Sequence, residues 1–284
     1  MPKRTFVLQS GADPCPQLCV EQGPSGDGVG RWVPEFKHVL LAKLIGGTCK
    51  ARVKWPHRVF VDPFCGPGRI RVKDQTATLD GGTVVAWRQS QATPPPFTSM
   101  LVGDLAPERA QACVQRLRAL RAPATAFEGE AATTVPRMIE AIPKGALVLA
   151  YLDPYNLQYL SFEIIRALAS LPKVDIAVHF STMDLQRNVD MELDDARARF
   201  DDAAPGWRTN IPVNTLSKTA LRQEFFAYWM SLVRGLGFEV SKEMPLARGD
   251  RGEPLYRLVF FSRHPLPNRI WGDVARGDNL ALDF

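Results

Sequence analysis

The sequence predicts an α/β fold in which a doubly wound, mostly parallel sheet carries helices on both faces, as in Rossmann-like domains. Three observations support this prediction. Short apolar runs alternate with helix-like segments from residue 58 onward. The most apolar run, 146–152, ends at Asp153 and is typical of a central strand buried on both faces. Two strand-like runs, 238–244 and 255–261, come last and predict a C-terminal antiparallel hairpin.

The other elements follow from local patterns. Apolar residues at helical spacing, as in 107–120, indicate helices that place one stripe against a sheet. Further strands are predicted at 58–61, 99–102, 124–127 and 174–180, and further helices at 33–44, 133–142, 161–171 and 217–236. Residues 1–30 are rich in Gly and Pro and predict an N-terminal arm or extended cover. The main domain is then 31–284, with a charged helical insertion at 181–216.

Composition is that of a soluble globular protein, with 45% hydrophobic and 23% charged residues among 284. The sequence has no apolar run long enough to span a bilayer and no secretory apolar segment, so we expect a cytoplasmic protein without membrane association. Five cysteines, an odd and low number, indicate free thiols. Cys15 and Cys19 could begin a metal site, but no second Cys or His pair follows at matching spacing. We therefore predict no metal and an irregular arm.

Positive charge is concentrated in one segment. Ten Lys or Arg residues and two acids lie within 31–73, whereas the whole chain has a net charge of +5. Such a basic segment beside a ligand loop suits a polyanionic substrate, including a nucleic acid. A solvated surface of helices and loops would have the same composition.

Acidic residues follow the first four predicted parallel strands at the point where each ends. They are Asp62, Asp104, Glu130 in the turn after the third strand, and Asp153. In doubly wound sheets these strand ends share one edge, where ligands bind at the switch point. Asp104 is placed to accept the two hydroxyls of a ribose, and Glu130 to accept an adenine amino group.

The loop after the first strand predicts the ligand class. Gly66 and Gly68 allow the backbone to approach a ligand closely. Asp62 would repel a pyrophosphate but favour the cationic S-adenosylmethionine (SAM), and both nucleotide-binding glycine motifs are absent. An acidic turn that merely caps a helix is the alternative. The predicted cofactor contacts are Asp62, Phe64, Gly66, Gly68, Asp104, Leu105, Glu130 and Ala131.

The segment Asp153-Pro154-Tyr155 is the predicted catalytic site. It resembles the D/N-P-P-Y/F tetrad of amino-methyltransferases that act on nucleobases, although one proline is missing. In that tetrad the acid and a proline carbonyl orient an exocyclic amine and the aromatic ring stacks on the base, which is catalysis by positioning. The alternative is that Asp153 and Tyr155 only line the cofactor pocket or cap a turn.

Two further residues have open interpretations. His179, near the end of the fifth predicted strand, is either a base or substrate contact or a hydrogen-bonded structural histidine. Cys65 lies inside the predicted cofactor loop. It is either a nucleophile aimed at a pyrimidine or, as we expect, a small loop residue.

Several motifs together resemble the three-Cys-motif partner (TcmP) family. They span about 31–274 and include Val61-Asp-Pro-Phe-Cys-Gly-Pro-Gly-Arg69, Gly81-Gly-Thr-Val-Val-Ala86, Tyr151-Leu-Asp-Pro-Tyr155, Phe180-Ser-Thr-Met-Asp-Leu-Gln-Arg-Asn188, Pro205-Gly-Trp-Arg208 and Leu255-Tyr-Arg-Leu-Val-Phe-Phe-Ser262. The family has Asp-Leu-Phe-Ala-Gly-Pro-Gly in its first loop, where this chain has Pro63 and Cys65.

The resemblance implies a class I SAM-methyltransferase-like fold and a three-cysteine-motif partner, a radical or iron–sulfur enzyme. It makes Asp184, Arg187 and Asn188 candidates for contact with substrate or partner, with a salt-bridged helix cap as the alternative. Our leading hypothesis is a SAM-dependent methyltransferase that acts on a nucleobase or nucleic acid amine. The alternatives are a nucleic-acid-binding accessory subunit of that partner enzyme in DNA modification or repair, and a small-molecule methyltransferase.

Overall fold

The computed structural model of the protein describes residues 8, 10–23, 25–189 and 198–277. The strands are β1 (Arg58–Asp62), β2 (Arg69–Arg71), β3 (Thr78–Asp80), β4 (Ser99–Asp104), β5 (Ala124–Glu128), β6 (Leu147–Leu152), β7 (Val174–Ser181), β8 (Glu239–Val240), β9 (Leu246–Arg248) and β10 (Pro254–Ser262). The α-helices are α1 (His38–Gly47), α2 (Cys49–Arg52), α3 (Gly82–Ala92), α4 (Pro107–Ala119), α5 (Ala131–Glu140), α6 (Phe162–Leu168), α7 (Thr182–Asn188), α8 (Trp207–Asn210), α9 (Lys218–Gly235) and α10 (Pro265–Ala275).

The main sheet has the strand order β5-β4-β1-β6-β7-β10-β8. Its first five strands are parallel, and β10 runs antiparallel between β7 and β8. The predicted doubly wound, mostly parallel sheet and its C-terminal antiparallel pair are therefore confirmed. From β1 the chain forms β4 and β5 on one side of that strand, and then forms β6 and β7 on its other side. The topological switch point, where the strand order reverses, therefore lies between β1 and β6.

Side chains of alternate strand residues fill the two layers between sheet and helices, because successive residues point to opposite faces. On one face Val59 and Val61 of β1 belong to a core that includes α5, α6 and α9. On the other face Phe60 packs with Met100 of β4 and with α1, α3, α4 and α10. Helices on both faces bury the sheet and leave its edge of strand ends for the functional groups.

The N-terminal arm lies along the hairpin that β2 and β3 form. Glu21 bridges Ile70, and Val29 bridges Val72, by backbone hydrogen bonds of 2.8–2.9 Å to residues of β2 and to Lys73 just after it. The predicted extended cover is thus an added edge of this small sheet. The hairpin itself, α3 and α10 were not among the predicted elements.

The segment after β7 packs into the core through aromatic residues. Phe200 and Trp207 lie against Phe225 of α9, with ring centroids 5.8 and 5.1 Å apart. Part of the predicted helical insertion, 190–197, lies outside the described residues; the rest contributes α7 and α8. Among the described helices, we find none with the length and apolar character needed to cross a bilayer.

Candidate functional site

The loop between β1 and β2 crosses the sheet edge at the switch point. Gly66 and Gly68 have φ angles of 57° and 77°, a left-handed conformation that favours glycine. The Cys65 N–H donates to the Gly103 carbonyl of β4 at 2.8 Å, and the Gly66 N–H donates to an Asp104 carboxylate oxygen at 3.1 Å. These bonds hold the loop against the end of β4.

Asp62 lies beneath this loop and is 1% exposed. One carboxylate oxygen accepts the Phe64 N–H at 3.0 Å and the other accepts the Thr83 hydroxyl at 2.6 Å. Burial raises its pKa to about 7, against the opposing effect of the Thr83 hydrogen bond. Asp62 therefore supports the loop through these two hydrogen bonds, and its predicted contact with a cofactor stays a prediction.

Asp104 is half-buried at the end of β4. Its oxygens accept the Gly66 N–H and the Ala106 N–H, the latter at 3.0 Å. The Arg109 guanidinium lies 3.4 Å from the same carboxylate and also pairs with Glu21 of the arm. The predicted ribose acceptor is therefore at the sheet edge, linked through Arg109 to the arm.

The other predicted cofactor contacts surround Asp104. Leu105 is exposed beside it, and Phe64 is half-buried in the loop. Glu130 is exposed at the N-terminus of α5, whereas Ala131 is buried. The structure thus brings an exposed carboxylate and an exposed apolar side chain to the rim next to Asp104.

Asp153 follows β6 and forms an ion pair with Lys37. The Lys37 ammonium lies 2.7 and 2.5 Å from the two carboxylate oxygens. The Asp153 side chain is 19% exposed, so it reaches the surface. Burial has the largest single effect and raises its pKa, but the charge and hydrogen bond of Lys37, with contributions from the adjacent His179 and His38, together outweigh burial and hold the pKa below its usual value. The carboxylate is ionised at neutral pH.

His179 lies under Asp153 and is 1% exposed, with its Nδ1 atom 3.9 Å from the carboxylate. Neither ring nitrogen has a hydrogen-bond partner among the described residues. Burial lowers its pKa to about 3, so the ring is neutral. Because β7 is interior to the sheet and His179 is buried, the structure favours a structural role for this histidine over direct contact with a substrate.

Tyr155 projects from the loop after Asp153-Pro154 and is 60% exposed. Its carbonyl accepts the Tyr256 hydroxyl of β10 at 3.0 Å. The Tyr256 ring stacks on Trp32 with centroids 5.2 Å apart. The Tyr155 ring is consequently free for a ligand while its backbone is fixed.

The candidates in α7 divide into two kinds. Asp184 accepts the Leu157 N–H at 2.8 Å and the Asn188 side-chain amide at 2.5 Å. Asp184 thus holds the loop after β6 and Asn188 supports Asp184, through hydrogen bonds and not through the salt bridge of the alternative interpretation. Arg187 is exposed and lies close enough to Tyr155 for its charge to oppose the pKa rise that burial and Glu21 produce there.

Cys65 is a buried thiol whose Sγ–H donates to the Gly66 carbonyl at 3.2 Å. Burial, and then the neighbouring Cys113 thiol, raise its pKa well above the usual value. This environment agrees with a small loop residue and disagrees with a nucleophile. In the N-terminal arm Cys15 is buried and Cys19 is exposed, and neither forms a disulfide.

The predicted basic face is smaller than the sequence indicates. Lys37, Arg52 and Arg69 are buried, and Arg69 pairs with Asp80 at 2.6 Å. Arg52 donates to backbone carbonyls, among them that of Pro95 at 3.1 Å. The sequence analysis counted these charges as surface charge. It therefore did not identify the ion pair of Lys37 with Asp153, which lies 116 residues away in the chain.

No family model matches the chain. No curated protein matches it either. The resemblance to the three-Cys-motif partner family therefore remains a prediction.

Solved structures share the fold. A Legionella pneumophila protein of the DUF519 family superposes with a TM-score of 0.51 at 10% identity, covering 85% of this chain and 91% of that one. An O-methyltransferase from Bacillus cereus in complex with SAH has a TM-score of 0.47 at 10% identity, covering 80% of each chain. The O-methyltransferase TomG from Streptomyces achromogenes, in complex with SAM, has a TM-score of 0.42 at 13% identity, covering 78% and 77%. At 10% identity, the likeness to the Legionella pneumophila structure is one of fold alone.

Proposed function

We propose that the protein is a SAM-dependent methyltransferase whose acceptor is an amine of a nucleobase, free or within a nucleic acid. The observation that carries this proposal is the pairing of an ionised, partly accessible carboxylate, Asp153, with the exposed ring of Tyr155 at the switch-point edge. One group accepts hydrogen bonds and the other offers a stacking face.

The residues at the end of β4 suit the cofactor. Asp104 offers carboxylate oxygens at the rim, each able to accept more than one hydrogen bond. The left-handed glycines bring the loop backbone close beside it, and a side chain at Gly68 would lie 3.2–3.3 Å from Val84 and Cys113. When bound there, SAM supplies an electrophilic methyl group on a cationic sulfur.

Asp153 would orient the acceptor rather than deprotonate it. Because Lys37 keeps its pKa low, the carboxylate is a weak base but a strong hydrogen-bond acceptor for an amine N–H. Holding the amine with its lone pair toward the methyl group is a positioning effect. Tyr155 would stack on the base, an interaction worth about 1–3 kcal/mol.

A second candidate is a non-catalytic, nucleic-acid-binding subunit that serves a three-cysteine-motif enzyme. One observation favours it: Asp104 is already engaged by two backbone N–H groups and by Arg109. In that case the cofactor subsite would be closed by the chain itself. A small-molecule methyltransferase remains the third hypothesis.

Titration calorimetry with SAM and SAH, followed by transfer of a tritiated methyl group to DNA, RNA and nucleosides, tests these proposals. We expect SAM binding and labelling of nucleic acid or nucleoside amines. Asp153→Asn should abolish transfer and leave SAM affinity within about twofold, because its side chain is not part of the β4 subsite. Glu163→Gln, an exposed change on α6, is the control.

Each contrary result has a distinct meaning. Absence of SAM binding would overturn the methyltransferase proposal and favour the accessory subunit. Labelling of small molecules alone would overturn the nucleobase acceptor. Full activity in Asp153→Asn would remove Asp153 from the mechanism.

A further inference from the structure

Lys37 reaches Asp153 from an unusual piece of backbone. The first turn of the N-terminal helical segment, Val33–Lys37, is π-helical, and the His38 N–H donates to the Val33 carbonyl five residues back. Such turns insert one extra residue and change the direction in which side chains project. Here the turn ends on Lys37, which is buried and points across the chain to the end of β6.

Lys37 pairs directly with Asp153 and, among the groups around it, has the largest effect in lowering its pKa. Two histidines also face the carboxylate, His38 from α1 and His179 from β7, but burial lowers the pKa of each to about 3 and leaves both neutral. The other titratable groups whose charge acts on or from Asp153, among the residues that the structure describes, are acidic or phenolic. They are Asp62 of β1, Tyr151 of β6 and Tyr256 of β10.

An aromatic pair connects Lys37 to the other end of the same loop. The Lys37 ammonium lies 5.6 Å from the Trp32 ring centroid, a distance typical of a cation–π contact. Trp32 stacks on Tyr256, whose hydroxyl donates to the Tyr155 carbonyl. The loop Asp153-Pro154-Tyr155 is thus held at its first residue by Lys37 and at its last by Tyr256.

We propose that Lys37 is a positioning residue for the methyl transfer proposed above: its ammonium holds the Asp153 carboxylate charged and oriented toward the acceptor amine. This inference rests on the proposed function only for its expected effect on the rate of methyl transfer. The ion pair and its effect on Asp153 are properties of the free protein. Without Lys37, a carboxylate among neutral or acidic buried groups would take up a proton more readily, and one of its two oxygens would then carry an O–H donor in place of a charged acceptor.

The kinetic test uses Lys37→Met, Lys37→Arg and the control Lys50→Met, an exposed lysine in α2. In Lys37→Met the acid limb of the kcat/KM profile should move up by about one pH unit or more, since burial is no longer opposed. We expect kcat at pH 7 to fall about tenfold or more, with SAM affinity unchanged within about twofold. Lys37→Arg should restore part of kcat and most of the pH profile, and Lys50→Met should match the wild type.

A carboxyl carbon NMR titration tests the inference independently of activity. The resonance absent from Asp153→Asn identifies Asp153, and its midpoint should rise in Lys37→Met but not in Lys50→Met. An unchanged midpoint, or a Lys37→Met enzyme with the wild-type pH profile, would overturn the role of Lys37. A shifted midpoint in a protein that transfers no methyl group would leave the ion pair standing and overturn the proposed function instead.

Discussion

Arg116 of α4 is the anchor of the N-terminal arm, and we predict that Arg116→Met releases the arm. The guanidinium is 1% exposed and binds both carboxylate oxygens of Asp13 at 3.0 Å. It also donates to the carbonyls of Cys19 at 2.9 Å and of Pro67, in the loop after β1, at 2.8 Å. Removing one partner of a buried ion pair costs about 3–5 kcal/mol. Arg69 lies 3.9 Å from the same carboxylate and still compensates part of its charge, so we expect the lower end of this range.

The arm can detach without unfolding the sheet, so this cost appears first in local opening. A loss of about 3 kcal/mol raises the open population roughly a hundredfold. Hydrogen exchange measures it at the amides of Glu21 and Val29, which donate to carbonyls of β2. Exchange there should accelerate about a hundredfold in Arg116→Met and remain at the wild-type rate in the control Arg118→Met, an exposed arginine on the same helix. Unchanged exchange at both amides in Arg116→Met would refute the assignment of Arg116 as the anchor.

Three further predictions concern single carboxyl and phenol groups. Burial raises the pKa of Asp62 to about 7, so the folded chain keeps a proton that the unfolded chain releases near pH 4. The contribution of Asp62 to the free energy of unfolding should therefore fall by up to about 4 kcal/mol as the pH rises from about 4 to 7. Urea unfolding across this range should show that Asp62→Asn loses this component; a difference from wild type that is constant with pH would contradict it. Tyr155→Ala should lower kcat/KM for nucleic acid about five- to hundredfold and change the unfolding free energy by less than about 0.5 kcal/mol, whereas Tyr159→Ala serves as the exposed control. Asp104→Ala should weaken SAM binding about ten- to hundredfold in calorimetry, and undiminished affinity would exclude Asp104 as the ribose acceptor.

The ends of these strands could be predicted from sequence because an acidic residue follows each apolar run. Asp62, Asp104 and Asp153 mark these points directly, and the parallel pairing of β4, β1 and β6 brings them to one edge. The periodicity of apolar residues contains this information. It carries no information about which charged residues pair across the fold.

The partners of the charged residues could not be predicted for that reason. Lys37 and Asp153 are 116 residues apart, and Arg116 and Asp13 are 103 apart. A lysine that will be buried has the same sequence signature as one on a solvated helix. The basic count in 31–73 therefore indicated a surface where the fold places Lys37, Arg52 and Arg69 inside.

The arm and the proposed cofactor subsite share one residue, so we expect their equilibria to depend on each other. Arg109 contacts Asp104 at the sheet edge and Glu21 of the arm at the same time. A ligand that takes over the acceptor oxygens of Asp104 alters the contact with Arg109, and through it the pairing with Glu21. By thermodynamic linkage, any change that ligand binding makes in arm docking must be matched by an equal effect of arm docking on ligand affinity. The Arg116→Met protein, with its arm released, is therefore also the protein in which this coupling is measured, as the difference between its SAM affinity and that of the wild type.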